Sequence, residues 1–322
     1  MSKRLLRLAA ALAALMMLAL PTAAANATSS TGAGLWSTTA TGSTGSDSCA
    51  GFLSDSNGFC TAVGTGEPSV ELGVQFTSSK AVNIAGVRVY RVDGGSVNGS
   101  LWGADGTRLA GPASFSGSST NSWQDVPFSA PVAITPGQTY VASYNAPTPS
   151  YAFEHGFFRS SAYTVGPITA LASQASGGNG VFNYCSPDCF PSLTFDDSNY
   201  WVTPLWAYNF TGFYQPVDNE PTWNSVKAGS AFPVKFSLGG NQGLDVLKSG
   251  YPGAIQVACP GSSAAVDAIE TTTTANSGLT YDAPANQYSY VWKTAKIWAG
   301  KCYRFDLGLN DGTSHTFEIV FN

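Results

Sequence analysis

The sequence predicts an all-β protein: two β-sandwich domains, a jelly-roll-like one followed by an immunoglobulin-like one, after a signal peptide. Three observations predict it. Hydrophobicity alternates with period two, as where Val70, Leu72, Val74 and Phe76 interleave with Glu71, Gly73 and Gln75. Turn chemistry punctuates such runs at Asp93-Gly94-Gly95, Asp105-Gly106 and Pro136-Gly137. No window holds a convincing amphipathic helix.

The chain begins with the order of a secretory signal. Lys3, Arg4 and Arg7 precede an apolar run from Leu8 to Leu20, Pro21 breaks it, and small residues follow. That run is short for a membrane span. Residues 1–27 are therefore expected to be cleaved, after Ala25 or Ala27, and the mature protein to be secreted without membrane insertion. The competing reading is an uncleaved anchor. The chain ends in the strand-like FEIVFN, with no hydrophobic tail or basic stop, which implies release or non-covalent retention at the cell surface.

Removing Lys3, Arg4 and Arg7 from the 15 basic residues leaves 12 against 20 acidic ones, a net charge of −8. A nucleic-acid or anionic-membrane partner would call for a basic patch, and the sequence has none. Charged residues make up only 11% of the chain, so hydroxyls and amides must cover its solvent faces, as suits an extracellular β-protein. The six cysteines stand at 49, 60, 185, 189, 259 and 302. In an oxidising compartment an even count implies disulfides. The pairing local in sequence is Cys49–Cys60, Cys185–Cys189 and Cys259–Cys302. Zinc fits poorly, because the C-x3-C spacing has no second close pair and neither His155 nor His315 has a neighbouring ligand.

Residues 28–33 read as a Ser/Thr/Gly tether. The first module spans 34–213, with Leu35-Trp36 as a short first strand. Further strands are expected over Val70–Phe76, Val87–Tyr90, Ser100–Trp102, Arg108–Ala110, Trp123–Phe128, Gln138–Tyr144, Val181–Tyr184 and Tyr200–Phe213. The second module spans 214–322. Its strands read Ala231–Leu238, Ala254–Cys259, Leu279–Tyr281, Tyr288–Lys293, Cys302–Leu309 and Ser314–Phe321, the last two flanking the hairpin signal Asn310-Asp311-Gly312. Cys259 and Cys302 lie where a sheet-to-sheet bridge could fall, with Trp292 or Trp298 nearby.

Two stretches carry family resemblances. ELGVQF, GVRVYRV, GSLWGADGTRLA, GGNGVFNY and FDDSNYWVTPLW, over roughly residues 34–213, resemble a module of unknown function from secreted bacterial proteins. In that family it recurs beside Ig-like repeats and in carbohydrate-active or amidase-type enzymes. This chain departs from it in the Cys49–Cys60 stretch and the CSPDC motif. The second stretch, roughly 212–322, resembles the PxKF module of actinobacterial secreted proteins, with Pro233, Val234, Lys235 and Phe236 as its name-giving residues. That resemblance implies an extracellular β-sandwich without catalytic residues.

Catalytic motifs are missing from the sequence: no G-x-S-x-G elbow, H-E-x-x-H, P-loop or G-x-G-x-x-G occurs. Glu154 and His155 are neighbours, which on a strand point to opposite faces. His155 is expected to be a surface or loop residue and His315 a structural one. Glu71, Glu154, Asp196 and Asp197 leave a glycosidase pair open, although most acidic residues here sit in turns. The rings are more suggestive. Tyr151, Phe153, Phe157, Phe158, Phe182, Tyr184, Tyr200 and Trp201 cluster in the first module. Flat rings stack on the C–H faces of sugars, and Gly177-Gly178-Asn179-Gly180 could supply a polar rim. The alternative is that the rings fill the core. Tyr151, Trp201 and Asn179 are the ligand-binding candidates, with both rings expected to be exposed. Glu71, Asp196 and Asp197 offer hard oxygens for a structural calcium ion, the alternative being a solvated loop. No other cofactor is expected. The expectation is a non-catalytic binding protein for a glycan or another cell-surface component. The alternatives are an adhesive protein with protein partners and, behind it, a hydrolase.

Overall fold

The computed structural model describes residues 32–41, 53–54, 59–63, 69–117, 119–146, 150–185, 188–261, 265–269 and 278–322. The expected signal peptide, most of the expected 28–33 tether and the expected Cys49–Cys60 bridge lie outside them. The chain is all-β, as expected, and its described strands form five sheets.

Three sheets come from strands before residue 208. The largest runs in the order Tyr163–Val165, Ile168–Ala170, Val70–Ser78, Tyr140–Ala146, Gly95–Gly103, Arg108–Gly117. Val181–Tyr184 also pairs with Val70–Ser78, and Leu193–Thr194 pairs with Val181–Tyr184. A second sheet places Val82–Arg91 between Val202–Ala207 and Ser122–Ile134. It packs on the first through contacts of Val82–Arg91 and Val202–Ala207 with Tyr140–Ala146. The period-two alternation does what it predicts, since Leu72, Val74 and Phe76 are buried in one core cluster with Ile84, Val87, Val89 and Val126. The third sheet is small: Leu53–Ser54, Cys60–Val63 and Ser150–Phe153.

The remaining two sheets come from strands after residue 212. One runs Phe213–Tyr214, Ala231–Phe236, Gln287–Lys293, Leu279–Asp282, and the other Gly253–Val257, Cys302–Gly308, Ser314–Phe321, Trp223–Val226, Val266–Ala268. Trp223–Val226 pairs in parallel with both its neighbours, unlike the antiparallel strands elsewhere. Val234 and Phe236 are fully buried. Trp292 stacks toward Phe305 at 4.8 Å and Trp298 toward Tyr303 at 4.6 Å. The Cys185–Cys189 and Cys259–Cys302 bridges are both present.

Several expectations need correction. Leu35-Trp36 is no strand. Ala33 makes an isolated bridge to Trp206, and Trp36 is pressed into the core instead. The expected strand Tyr200–Phe213 is two, Val202–Ala207 and Phe213–Tyr214, because residues 208–212 turn away to cross to the second group of sheets. That crossing is packed. Tyr208 is buried and Phe210 stacks on His315 at 3.6 Å. Ser150–Phe153, Tyr163–Val165, Ile168–Ala170, Leu193–Thr194, Trp223–Val226 and Val266–Ala268 are short strands that turn signals and periodicity did not reveal.

Candidate functional site

Of the candidate ligand residues, Trp201 is in the core. It is 5% exposed, and its ring lies 4.8 Å from Phe59 and 5.3 Å from Trp36. These rings, with Tyr90 and Trp123, form a second aromatic layer over the sheet of Val82–Arg91. The 32–41 segment closes that layer: Leu35 donates its N–H to Thr203 Oγ1 at 2.8 Å, and Trp123 Nε1 donates to the Ala40 carbonyl at 3.0 Å. Residues about 165 positions apart thus bury a ring that its own neighbourhood leaves open.

Asn179 is likewise internal, not a rim. On one edge of Val70–Ser78, Ala170 pairs with Phe76 and Val181 pairs with Gly73, which leaves Gln75 without a strand residue beside it. The Asn179 side chain stands in for one. Its Oδ1 accepts from the Gln75 N–H at 2.8 Å and its Nδ2 donates to the Gln75 carbonyl at 3.0 Å. The amide thereby completes the half-buried Gln75 backbone pair, whose carbonyl also accepts from the Leu171 N–H at 3.1 Å. Gly178 and Gly180 beside it serve packing. A Cβ on Gly180 would lie 1.6 Å from the Ser198 carbonyl oxygen, and its φ of +73° suits glycine.

The three calcium candidates do not converge. Among the described residues no three His, Cys, Asp or Glu side chains group to hold a metal. Asp196 and Asp197 instead hold the Arg159 guanidinium, Asp197 at 3.3 Å. Glu71 is fully buried on the outward face of the large sheet, where it accepts from Ser143 Oγ, which itself accepts from Trp102 Nε1. Burial pushes its carboxyl from 4.5 up to about 8, and the negative charge of Asp188 adds to the rise, while the Ser143 hydrogen bond works against it.

Tyr151 survives as a candidate, half-buried and part of a continuous run of rings. The run passes from Tyr184 to Phe182 (5.7 Å), Tyr200 (6.5 Å), Tyr151 (5.9 Å), Phe153 (6.2 Å), His155 (4.7 Å) and Phe195 (5.7 Å). Its middle is anchored, with Phe153 and Tyr200 buried, and its ends are open: Tyr184 is 51% and Phe195 60% exposed. Leu193, directly opposite Phe182 across the strand pair, adds an exposed aliphatic side chain at 49%. Desolvation raises the Tyr151 phenol, with Tyr184 adding to the rise. The Tyr151 phenol is therefore a neutral hydrogen-bonding group near neutral pH.

One end of the run is polar. The loop after Thr194 is tied to residues 154–158 by Gly156 N–H to the Asp196 carbonyl at 2.8 Å and Phe158 N–H to that of Asp197 at 3.0 Å. Asp196 and Asp197 both take left-handed backbone, at φ of 47° and 51°, which aspartate tolerates better than most residues. This turns both carboxylates toward Arg159. His155 Nδ1 lies 3.0 Å from Ser198 Oγ and 3.6 Å from Asp196 Oδ2. A Ser-His-Asp relay needs serine and carboxylate on opposite ring nitrogens, whereas here both meet Nδ1. Ser198 Oγ is also buried and donates to the Phe195 carbonyl at 2.8 Å. Arg159, Leu193 and Phe195 are the residues that sequence reasoning missed. The signal available was Phe195 beside Asp196-Asp197 in LTFDDSNYW.

A model of a domain of unknown function (DUF4082) matches residues 60–202, a stretch that contains every ring of this run. No curated protein matches the chain.

Proposed function

We propose that the chain is a secreted, non-catalytic binding protein of the cell exterior that holds glycans along the ring run of its first module. The observation that carries this reading is the run itself, anchored in the middle, exposed at Tyr184 and Phe195, and rimmed by Arg159, Asp196 and Asp197. Aromatic faces supply stacking area, and a fixed charged rim supplies hydrogen bonds for hydroxyls. The leader-like N-terminus and the two bridges support an oxidising exterior. Among the described residues no helix is long and apolar enough to cross a membrane. On this reading the boundaries are a 1–27 signal, a 28–33 tether, a 34–213 binding module and a 214–322 PxKF-like spacer.

A glycan array probed with the mature protein tests it. Expected is binding to a defined glycan set that Tyr184→Ala and Phe195→Ala abolish without changing the melting temperature. No glycan bound, or binding indifferent to both changes, would reject the assignment. One feature favours an adhesive role with protein partners as the second reading. Tyr184 and Leu193 sit on Val181–Tyr184 and the short strand Leu193–Thr194 beside it, with Phe195 following directly, where an extended segment could add.

A further inference from the structure

The fold gathers a cationic end that the sequence does not show, from lysines scattered between positions 227 and 301. Lys227 opens a turn that Ser230 closes, its N–H donating to the Lys227 carbonyl at 3.1 Å. Lys293 ends its strand opposite Ala231. Thr294 then ties the two segments, its N–H donating to the Ser230 carbonyl at 3.0 Å and its Oγ1 accepting from the Gly229 N–H at 3.0 Å. Lys296 starts the 3-10 turn Lys296–Trp298, and its side chain crosses Gly229, where a Cβ would lie 2.6 Å from the lysine Cγ. Lys301 donates its N–H to the Trp298 carbonyl at 3.0 Å, and its own carbonyl accepts from the Phe321 N–H at 3.0 Å. The next residue, Asn322, accepts from the Ala228 N–H at 3.0 Å, which returns to the first turn.

All four lysines are exposed, and none belongs to an ion pair among the described residues, whose paired cations are Arg88, His155, Arg159 and Arg304. No Asp or Glu occurs between Glu220 and Asp245, between Asp282 and Asp306, or after Glu318, so these segments bring no acidic side chain with them. An apolar residue stands among the four. Ile297 is 77% exposed, more than Phe195 at 60%. It is held there, because the next ring, Trp298, clamps the turn to the core at 4.6 Å from Tyr303 and 5.3 Å from Phe321. Lysines alone would suit any polyanion and leave Ile297 without a use. An anionic bilayer uses both, since its headgroups attract the ammonium groups while the acyl boundary takes the apolar tip. Lysine stems can lie along that boundary with their charges in the headgroup layer.

We infer that this end of the second group of sheets is a docking surface for an anionic lipid bilayer, with Lys227, Lys293, Lys296 and Lys301 on the headgroups and Ile297 in the acyl boundary. The docking is peripheral, through side chains of two turns and a strand end, and no segment crosses the bilayer. It uses no residue of the ring run and does not rest on the function proposed for that run.

The test sediments the mature full-length protein with vesicles of phosphatidylcholine alone, or of phosphatidylcholine and phosphatidylglycerol in equal parts. Expected is binding to the second kind only, weakened as NaCl rises from about 0.1 to 1 M and the Debye length falls from about 10 to 3 Å. Lys296→Ala and Lys301→Ala should each lower the partition coefficient about fivefold, and Ile297→Ser about tenfold. These side chains are exposed, so all three variants should melt like the parent. Lys248→Ala, an exposed lysine on the loop before Gly253–Val257, should bind like the parent. Equal binding to both kinds of vesicle, binding indifferent to salt, or loss in Lys248→Ala equal to that in Lys296→Ala would overturn the inference. Binding to immobilised polyphosphate as tight as to the anionic vesicles, and unchanged by Ile297→Ser, would assign the lysines to a soluble polyanion and overturn the lipid surface.

Discussion

The backbone N–H of Tyr208 donates to Oδ2 of Asp311 at 2.6 Å, joining the segment that leaves the first group of sheets to the hairpin turn of the second group. Asp311 Oδ1 accepts from the N–H and the hydroxyl of Thr313, so one fully buried carboxylate holds both the turn and the crossing chain. Desolvation raises its carboxyl above the usual range, against the pull of these donors.

Asp311→Ala would therefore leave the buried Tyr208 N–H and the half-buried Thr313 N–H without acceptors. A loss of about 3 kcal/mol is expected by denaturant melt, from about 1–3 kcal/mol per unsatisfied group. The second module should also fold alone better as 208–322 than as 214–322, since the shorter fragment lacks Phe210 on His315 and Phe213 on Phe317. Equal melting of the two fragments would show that the crossing segment contributes nothing.

The pH dependence follows from two groups of opposite sign, the fully buried Glu71 and the half-buried His315. Burial raises Glu71 from 4.5 to about 8, so the folded state keeps a proton that the unfolded chain releases, and stability falls as pH rises through that window. Burial lowers His315 from 6.5 to about 4, so the unfolded chain takes up a proton that the folded state refuses, and stability falls as pH drops through that window. The two slopes cancel where the windows overlap. Above pH 6.5 Glu71 acts alone and should cost about 2 kcal/mol by pH 8. Glu71→Gln should remove that loss in urea titrations at pH 6.5 and 8. An unchanged slope would assign it to other groups.

Trp201 and Tyr151 should separate cleanly in thermal melts. Trp201→Ala empties a site among Trp36, Phe59 and Trp123 and should cost about 3–5 kcal/mol. Tyr151 is half-buried at the edge of its sheet, and Tyr151→Ala should cost about 1 kcal/mol while acting mainly on glycan affinity. A small effect of the Trp201 change would deny the second aromatic layer its structural role.

The two bridges should differ in weight. On loop entropy, Cys259–Cys302 closes a separation of 43 and contributes about 4 kcal/mol, whereas Cys185–Cys189 closes 4 and contributes about 2 kcal/mol. Paired Cys→Ser variants measured in guanidinium check the order. A reversed ranking would show that packing around the 185–190 loop outweighs entropy.

Period-two alternation determined the fold class and most of the long strands, because a strand half-buried against a sheet needs its apolar residues on one face wherever that sheet lies. The Asn310-Asp311-Gly312 hairpin and the two described bridges were legible for the same local reason, since their partners are close in sequence. Burial of individual rings was not. Trp201 and Phe195 stand six residues apart in one polar segment, yet one is 5% and the other 60% exposed. The difference is made by residues 32–41, which return across the second sheet and cover Trp201, while nothing among the described residues covers Phe195 to a like degree. Asn179 shows the same limit: its amide fills a gap in a sheet edge that exists only once Ala170 and Val181 have paired with Val70–Ser78. Strand periodicity is a property of the local chain. Which outward face remains wet depends on what crosses it, and that is settled by contacts over long sequence separations that only the tertiary structure makes.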